Sequence, residues 1–208
     1  MTGSFITFEG GEGAGKSTQV QILAERLRGM GRNVLVTREP GGTVAGEAIR
    51  SLLVSGDVSR WSALAEALLN NAAREQHLIE VIRPALEKGS VVLCDRFMDS
   101  TRVYQGYAGG CSQDVIDALE KAVVGETRPS RTLVFDLDPA LGLARAKSRL
   151  NSAAEDRFER KGLDFHRNLR DGFKEIVRRE PERCHLIDAA RPVDLVAREV
   201  WATVSELW

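Results

Sequence analysis

An α/β fold with a five-stranded parallel sheet is predicted by two features of the sequence. Five short apolar runs are nearly continuous, and the stretches between them carry apolar residues at helical spacing. The runs are SFITFE (4–9), NVLVTRE (33–39), SVVLCD (90–95), RTLVFDLD (131–138) and CHLIDA (184–189). Their lack of polar alternation suits strands buried on both faces. Strands alternating with helices imply right-handed crossovers, helices on both faces, and ligands at the carboxyl ends of the strands.

The elements follow in order. The first run begins near the N-terminus with no basic segment or long apolar stretch before it, so no secretory leader is expected. After Lys16, the residues Val20, Leu23, Ala24, Leu27 and Met30 mark a helix that Gly29 and Gly31 close. Residues 62–88 form a long amphipathic segment, kinked or ended near Pro84 and stopped by Gly89. Phe165, Leu169, Phe173, Ile176 and Val177 make a further apolar stripe, and a last helix runs from about Val193 to Leu207. No repeat, low-complexity tract or linker divides the 208 residues, which read as one domain spanning 1–208.

Composition excludes several classes of function. Hydrophobic content of 43% and charged content of 28% are ordinary for a soluble globular protein. A formal net charge of -1 gives no reason to expect a nucleic-acid polymer or an anionic membrane as partner. A bound anion must therefore be met by a local cluster of donors. No run approaches membrane-spanning length. Cys94, Cys111 and Cys184 are far apart and odd in number, which points to a reducing, cytoplasmic setting without a disulfide framework or a cysteine metal site.

The first chemical signal is FEGGEGAGKST (8–18), which holds the full Walker A spacing Gly10-x-x-x-x-Gly15-Lys16-Ser17. It follows the first strand and opens the first helix, as a P-loop NTPase requires. Gly10, Gly11, Glu12, Gly13, Ala14, Gly15, Lys16, Ser17 and Thr18 are the candidate ATP-binding residues. Glycines let backbone N–H groups converge on phosphate oxygens, and the helix N-terminus adds its dipole. Lys16 reaches the β- and γ-phosphates in such loops, and Ser17 ligates Mg²⁺. No Asn-Lys-x-Asp run is present to read guanine, and no strand ends in an Asp-Glu pair. Instead VVLCDRF ends in Asp95-Arg96, read either as a site for a second phosphate opposite the first or as a surface ion pair.

Six blocks together resemble the thymidylate kinase family across nearly the whole chain. They are FEGGEGAGKST, REPGGT (38–43), CDRFMDSTRVYQG (94–106), FDLDPALGLAR (135–145), DRFE (156–159) and LIDA (186–189). The resemblance implies a three-layer P-loop fold with a short lid, ATP and dTMP as substrates, Mg²⁺ as cofactor, and a homodimer. By the same resemblance Glu12 faces the acceptor sugar, and Arg38 and Arg96 clamp the acceptor phosphate beside Glu39. Asp95 orders the Mg²⁺ shell or that phosphate. Tyr104 packs under the sugar, Arg74 contacts the base, and Thr101 and Gln105 lie within reach of it. Tyr104 reads equally well as core packing.

The segment 148–162 is charge-rich and weakly periodic, which suits a mobile lid or a solvated face. The P-loop carries no arginine, so Arg149 and Arg157 are the candidates to neutralise the transferring phosphoryl. His77, His166 and His185 need not be catalytic, because the acceptor phosphate is itself the nucleophile. Arg145 and the Ala189-Ala190 turn are candidate neighbours of adenine. One departure stands out. Four residues before Arg74 the family usually carries a phenylalanine that stacks on thymine, and this chain has Asn70. A kinase of the same fold with another acceptor, and an ATP-binding module without transfer, therefore remain alternatives.

Overall fold

The computed structural model describes residues 3–149 and 156–207, apart from the Arg149 side chain. Five strands form one parallel sheet: β1 (Phe5–Gly10), β2 (Val34–Arg38), β3 (Val91–Asp95), β4 (Arg131–Asp136) and β5 (Cys184–Asp188), in the order β2-β3-β1-β4-β5. The ladders align Phe8 with Asp95 and Arg38 with Asp95, so the loops after β1 and β3 leave the sheet side by side. That adjacency at the carboxyl edge is the condition for a ligand to touch both.

Alternation along the strands sorts the core into two faces. Ile6, Phe8, Leu93, Leu133, Phe135 and Ile187 pack against α1 (Lys16–Gly29) and α9 (Val193–Val204) through Val20, Leu23, Leu27, Val196 and Val200. On the other face, Phe5, Val92 and Cys94 meet Leu78, Ile82, Leu86 and Phe97, while Val134 and Cys184 meet Val103, Leu169, Phe173 and Ile176. Fully burying each such side chain stabilises the fold by about 1.5–3 kcal/mol, so the sheet is the rigid platform of the molecule.

The long segment expected over 62–88 is α3 (Ala63–His77), a π-helical turn at Leu78–Ile82, and α4 (Arg83–Glu87). Pro84 accounts for the interruption: it lacks an N–H, and its ring collides with the carbonyl a turn earlier unless the register widens. The Arg83 N–H accordingly reaches back five residues, to the Leu78 carbonyl. A second π-helical turn, Arg102–Tyr107, continues the short α5 (Met98–Thr101). α2 (Val44–Val54), α6 (Gln113–Val123) and α7 (Pro139–Arg149) also lie outside the helices read from the sequence. For α2 a local signal existed, since Thr43 caps the Gly46 N–H. The stripe from Phe165 to Val177 lies on α8 (Leu163–Arg179).

Candidate active site

Two cavities open at the carboxyl edge of the sheet, and the same three residues, Glu12, Arg96 and Glu159, line both. The first, of about 260 Å³, is lined by Gly13, Ala14, Gly15, Lys16, Ser17, Asp95 and Ala146. Gly13 has φ 68°, and a Cβ there would strike the Gly142 backbone of α7. Glycine is thus required twice over: for the left-handed turn and for the close approach of α7 to the loop. The Lys16 ammonium donates to the Gly10 and Gly11 carbonyls at 3.1 and 2.8 Å. Burial, aided by the Arg96 charge, pushes its pKa down to about 8. The Ser17 hydroxyl donates to Asp95 Oδ2 at 2.6 Å. A hydroxyl and a carboxylate brought together beside a phosphate loop are hard oxygen donors of the kind that Mg²⁺ accepts from protein, with phosphates and water completing its shell.

The second cavity, of about 290 Å³, is lined by Glu39, Pro40, Arg50, Asn70, Arg74, Phe97, Thr101, Tyr104, Gln105 and Phe158 among others. Its polar side chains are tied to one another. Glu39, itself buried, accepts from Arg74 Nε at 2.8 Å and contacts His77 Nδ1 at 3.0 Å, while Thr37 sits 2.7 Å from His77 Nε2. Arg74 also donates to the Phe97 carbonyl and to the Thr101 hydroxyl. His77 is therefore part of the framework behind Arg74.

Between the cavities, Glu12 accepts from Arg96 Nη2 and from the Tyr104 hydroxyl, both at 2.8 Å. Burial opposes ionisation of this carboxyl, but Arg96, Lys16 and the Tyr104 hydrogen bond outweigh it and hold its pKa at about 2. Arg96 adopts φ 69°, an unusual backbone for a side-chain-bearing residue. Its N–H on the Phe8 carbonyl and its Nη1 on the Gly10 carbonyl hold it there. Such backbone strain is typical of positions that must aim a side chain. Behind both, the Glu9 carboxyl accepts from Phe97 N–H and from Ser100, and burial with the nearby Asp99 raises its pKa to about 7.

Several sequence expectations change. Arg157 does not point toward the phosphate loop. It is fully buried, donates to the Leu53, Asp57 and Val58 carbonyls, and pairs with Glu66 at 2.6 Å. Its Nε, Nη1 and Nη2 donate to four oxygens of α2, the following loop and α3, so the guanidinium faces Glu66 and not the phosphate loop. Arg38 does not line the second cavity either. It is exposed and pairs with Glu47 of α2 at 3.1 Å, the anion its strand end meets first. Arg50 lines that cavity instead. Thr18 is exposed and lies outside the lining of the phosphate-loop cavity. Arg149 ends α7, and its side chain, like residues 150–155 of the expected lid, lies outside the described residues. Arg145 and the turn after β5 do meet, through Arg145 Nη1 and the Ala189 carbonyl at 3.4 Å.

Arg50, Glu66, Phe97 and Phe158 went unnoticed in the sequence. Phe97 and Phe158 stood within quoted blocks, CDRFMDSTRVYQG and DRFE, whereas Arg50 and Glu66 stood in none.

Comparison with known proteins bears on this geometry. A family model described as thymidylate kinase matches residues 8–200. A thymidylate kinase of Caulobacter vibrioides is 55% identical over 198 residues, covering 95% of this chain and 94% of that protein. One of Nitrobacter winogradskyi is 50% identical over 204 residues, covering 98% and 89%. The crystal structure of thymidylate kinase from Ehrlichia chaffeensis superposes with a TM-score of 0.80 at 34% identity, covering 98% of this chain and all of that one.

Proposed function

The chain belongs to the thymidylate kinase family and transfers the γ-phosphoryl of ATP to dTMP, giving dTDP and ADP; we propose that the two cavities hold these two nucleotides with their phosphates meeting at Glu12 and Arg96. The observation that carries this reading is the shared border. In-line transfer needs acceptor oxygen and γ-phosphorus in near contact, and residues common to both cavities mark where that contact can occur.

On the donor side the backbone N–H groups of the loop and the start of α1 hold the phosphates, and Lys16 adds a localised charge. Ser17 and Asp95 would hold Mg²⁺, whose charge screens the β- and γ-oxygens when bound. Arg145 and the Ala189-Ala190 turn form the side toward adenine. On the acceptor side Arg96 exchanges part of its pairing with Glu12 for the incoming phosphate. Glu12 then accepts the sugar 3′-hydroxyl, a neutral donor that its carboxylate can take. This answers why a phosphate loop carries a carboxylate: its partners, Arg96 and Tyr104, belong to the acceptor half. Tyr104 lies under the sugar, and Asn70, Arg74, Thr101 and Gln105 surround the base. The acceptor phosphate is the nucleophile, so no side-chain base is required.

Asn70 on the cavity wall favours a second reading, in which thymine preference is relaxed. Turnover measured as ADP release with dTMP, dUMP and UMP decides between them. A preference for dTMP supports the first reading; equal rates would overturn it.

We also propose a homodimer. Leu64, Leu68, Ala72 and Ile79 are exposed at helical spacing along α3 and the π turn that continues it, a face that a second copy would cover. Sedimentation would show it. No helix among the described residues is long and apolar enough to cross a membrane. The cysteines are free thiols, which suits the cytoplasm.

A further inference from the structure

Glu66 is a junction. Its carboxylate is buried on α3 and accepts from Arg157 Nη2 at 2.6 Å and from Gln105 Nε2 at 2.8 Å, with the Lys161 ammonium 3.6 Å away. Arg157 and Lys161 come from the turn before α8, and Gln105 from the π-helical turn that walls the acceptor cavity. One carboxylate thus ties the lid segment to the cavity wall. The next residue, Phe158, meets the Tyr104 ring edge-on at a centroid distance of 5.7 Å and lines the same cavity. Tyr104 in turn donates to Glu12 at the border with the phosphate loop.

We propose that Arg157 and Glu66 form a latch that positions the acceptor nucleotide, with Arg157 acting as a positioning residue for dTMP. The latch seats Phe158 against Tyr104 and holds Gln105 on the cavity wall. In this chain Asn70 supplies no aromatic face, so the aromatic surface of that wall comes from Phe97, Tyr104 and the lid residue Phe158. Acceptor affinity is then set partly by whether the turn is docked. The idea rests on reading this cavity as the dTMP site.

Burial explains why the pair is suited to the task. A fully buried guanidinium without its carboxylate would be an uncompensated charge, so docking of the turn depends on Glu66 as partner. The three carbonyls of Leu53, Asp57 and Val58 complete the socket and fix the direction of the side chain.

The test uses the intact enzyme in three variants: Arg157→Met, Glu66→Gln, and the apolar pair Arg157→Met with Glu66→Leu. Each is checked by thermal melting, by calorimetric titration with dTMP alone, and by steady-state kinetics. Each single variant should weaken dTMP binding and raise its KM by about tenfold or more, with kcat and the KM for ATP within about threefold of the parent enzyme. The apolar pair should regain thermal stability, because a well-packed replacement removes the stranded charge, but not dTMP affinity, because Gln105 still lacks its carboxylate. Recovery of dTMP affinity together with stability would show that the pair serves folding alone and would overturn the proposal. So would a kcat loss of about 10³ at unchanged dTMP KM, the signature of an arginine acting on the phosphoryl group. An Arg74→Lys control separates the two layers of the argument. If it binds dTMP like the parent enzyme, the cavity assignment fails; if it binds weakly while the latch variants bind normally, only the latch fails.

Discussion

The donor and acceptor halves of the cleft meet anions by opposite means. The donor half is built mainly on one stretch, residues 12–17, with Asp95 and Ala146 beside it, and its donors are mostly main-chain. The acceptor half is a lattice of side chains, each anchored by another: Glu39 on Arg74 and His77, Glu66 on Arg157 and Gln105, Glu12 on Arg96 and Tyr104. Backbone amides cannot be mutated and bind any triphosphate alike. A side-chain lattice costs desolvation but discriminates, because each buried group that a wrong ligand leaves unpaired counts against that ligand. On the proposed assignment of the two cavities, the donor half supplies transfer power and the acceptor half supplies selectivity.

Breaking the donor half should hurt chemistry most. Lys16→Met is expected to lower kcat by about 10³ while calorimetry shows dTMP affinity unchanged, since its ammonium donates to the loop and Arg96 keeps Glu12 paired without it. An equal loss in dTMP affinity would show that the halves are not separable. Breaking the acceptor half should hurt stability. Arg74→Ala strands the buried Glu39 carboxylate, and a loss of about 3–5 kcal/mol is expected. In a chain of this length that is a drop in Tm on the order of 10 °C. A melt within a degree of the parent would contradict the lattice.

pH sharpens the contrast. Lys16 carries its charge only below its lowered pKa of about 8. As pH rises through that value the ammonium is lost, so kcat/KM for ATP should fall by about tenfold per pH unit above it. Calorimetry with dTMP alone should show no such loss over the same range, because Glu12 stays ionised and Arg96 is held charged by it. The smallest effect is expected from Tyr104→Phe. It removes one hydrogen bond to Glu12, worth about 1 kcal/mol, and should raise the KM for dTMP about fivefold without changing that for ATP.

The same contrast explains what could be read from the sequence. The five strands, α1 and the phosphate loop were legible because apolar runs and glycine spacing are local signals. The acceptor lattice was not, because its members pair across 35 residues (Glu39 and Arg74), 84 (Glu12 and Arg96) and 91 (Glu66 and Arg157). No spacing rule reports such pairs. Resemblance gave the positions of Arg74, Arg96 and Tyr104 but not their partners. Arg157 shows the cost: charge in a polar segment looked like a solvated or catalytic arginine, and only the fold reveals Glu66 beneath it. Arg38 failed for the same reason, since Glu47 reaches it from α2. The π turns carry no sequence signature of their own beyond Pro84.

The most direct measurement is a crystal structure of the enzyme with dTMP and a non-hydrolysable ATP analogue bound together. The account requires the thymidylate phosphate against Arg96, its 3′-hydroxyl on Glu12, and its base among Asn70, Arg74 and Gln105, with the γ-phosphoryl facing it from the glycine loop. A thymidylate bound outside that cavity, or with its phosphate turned away from Arg96, would contradict it.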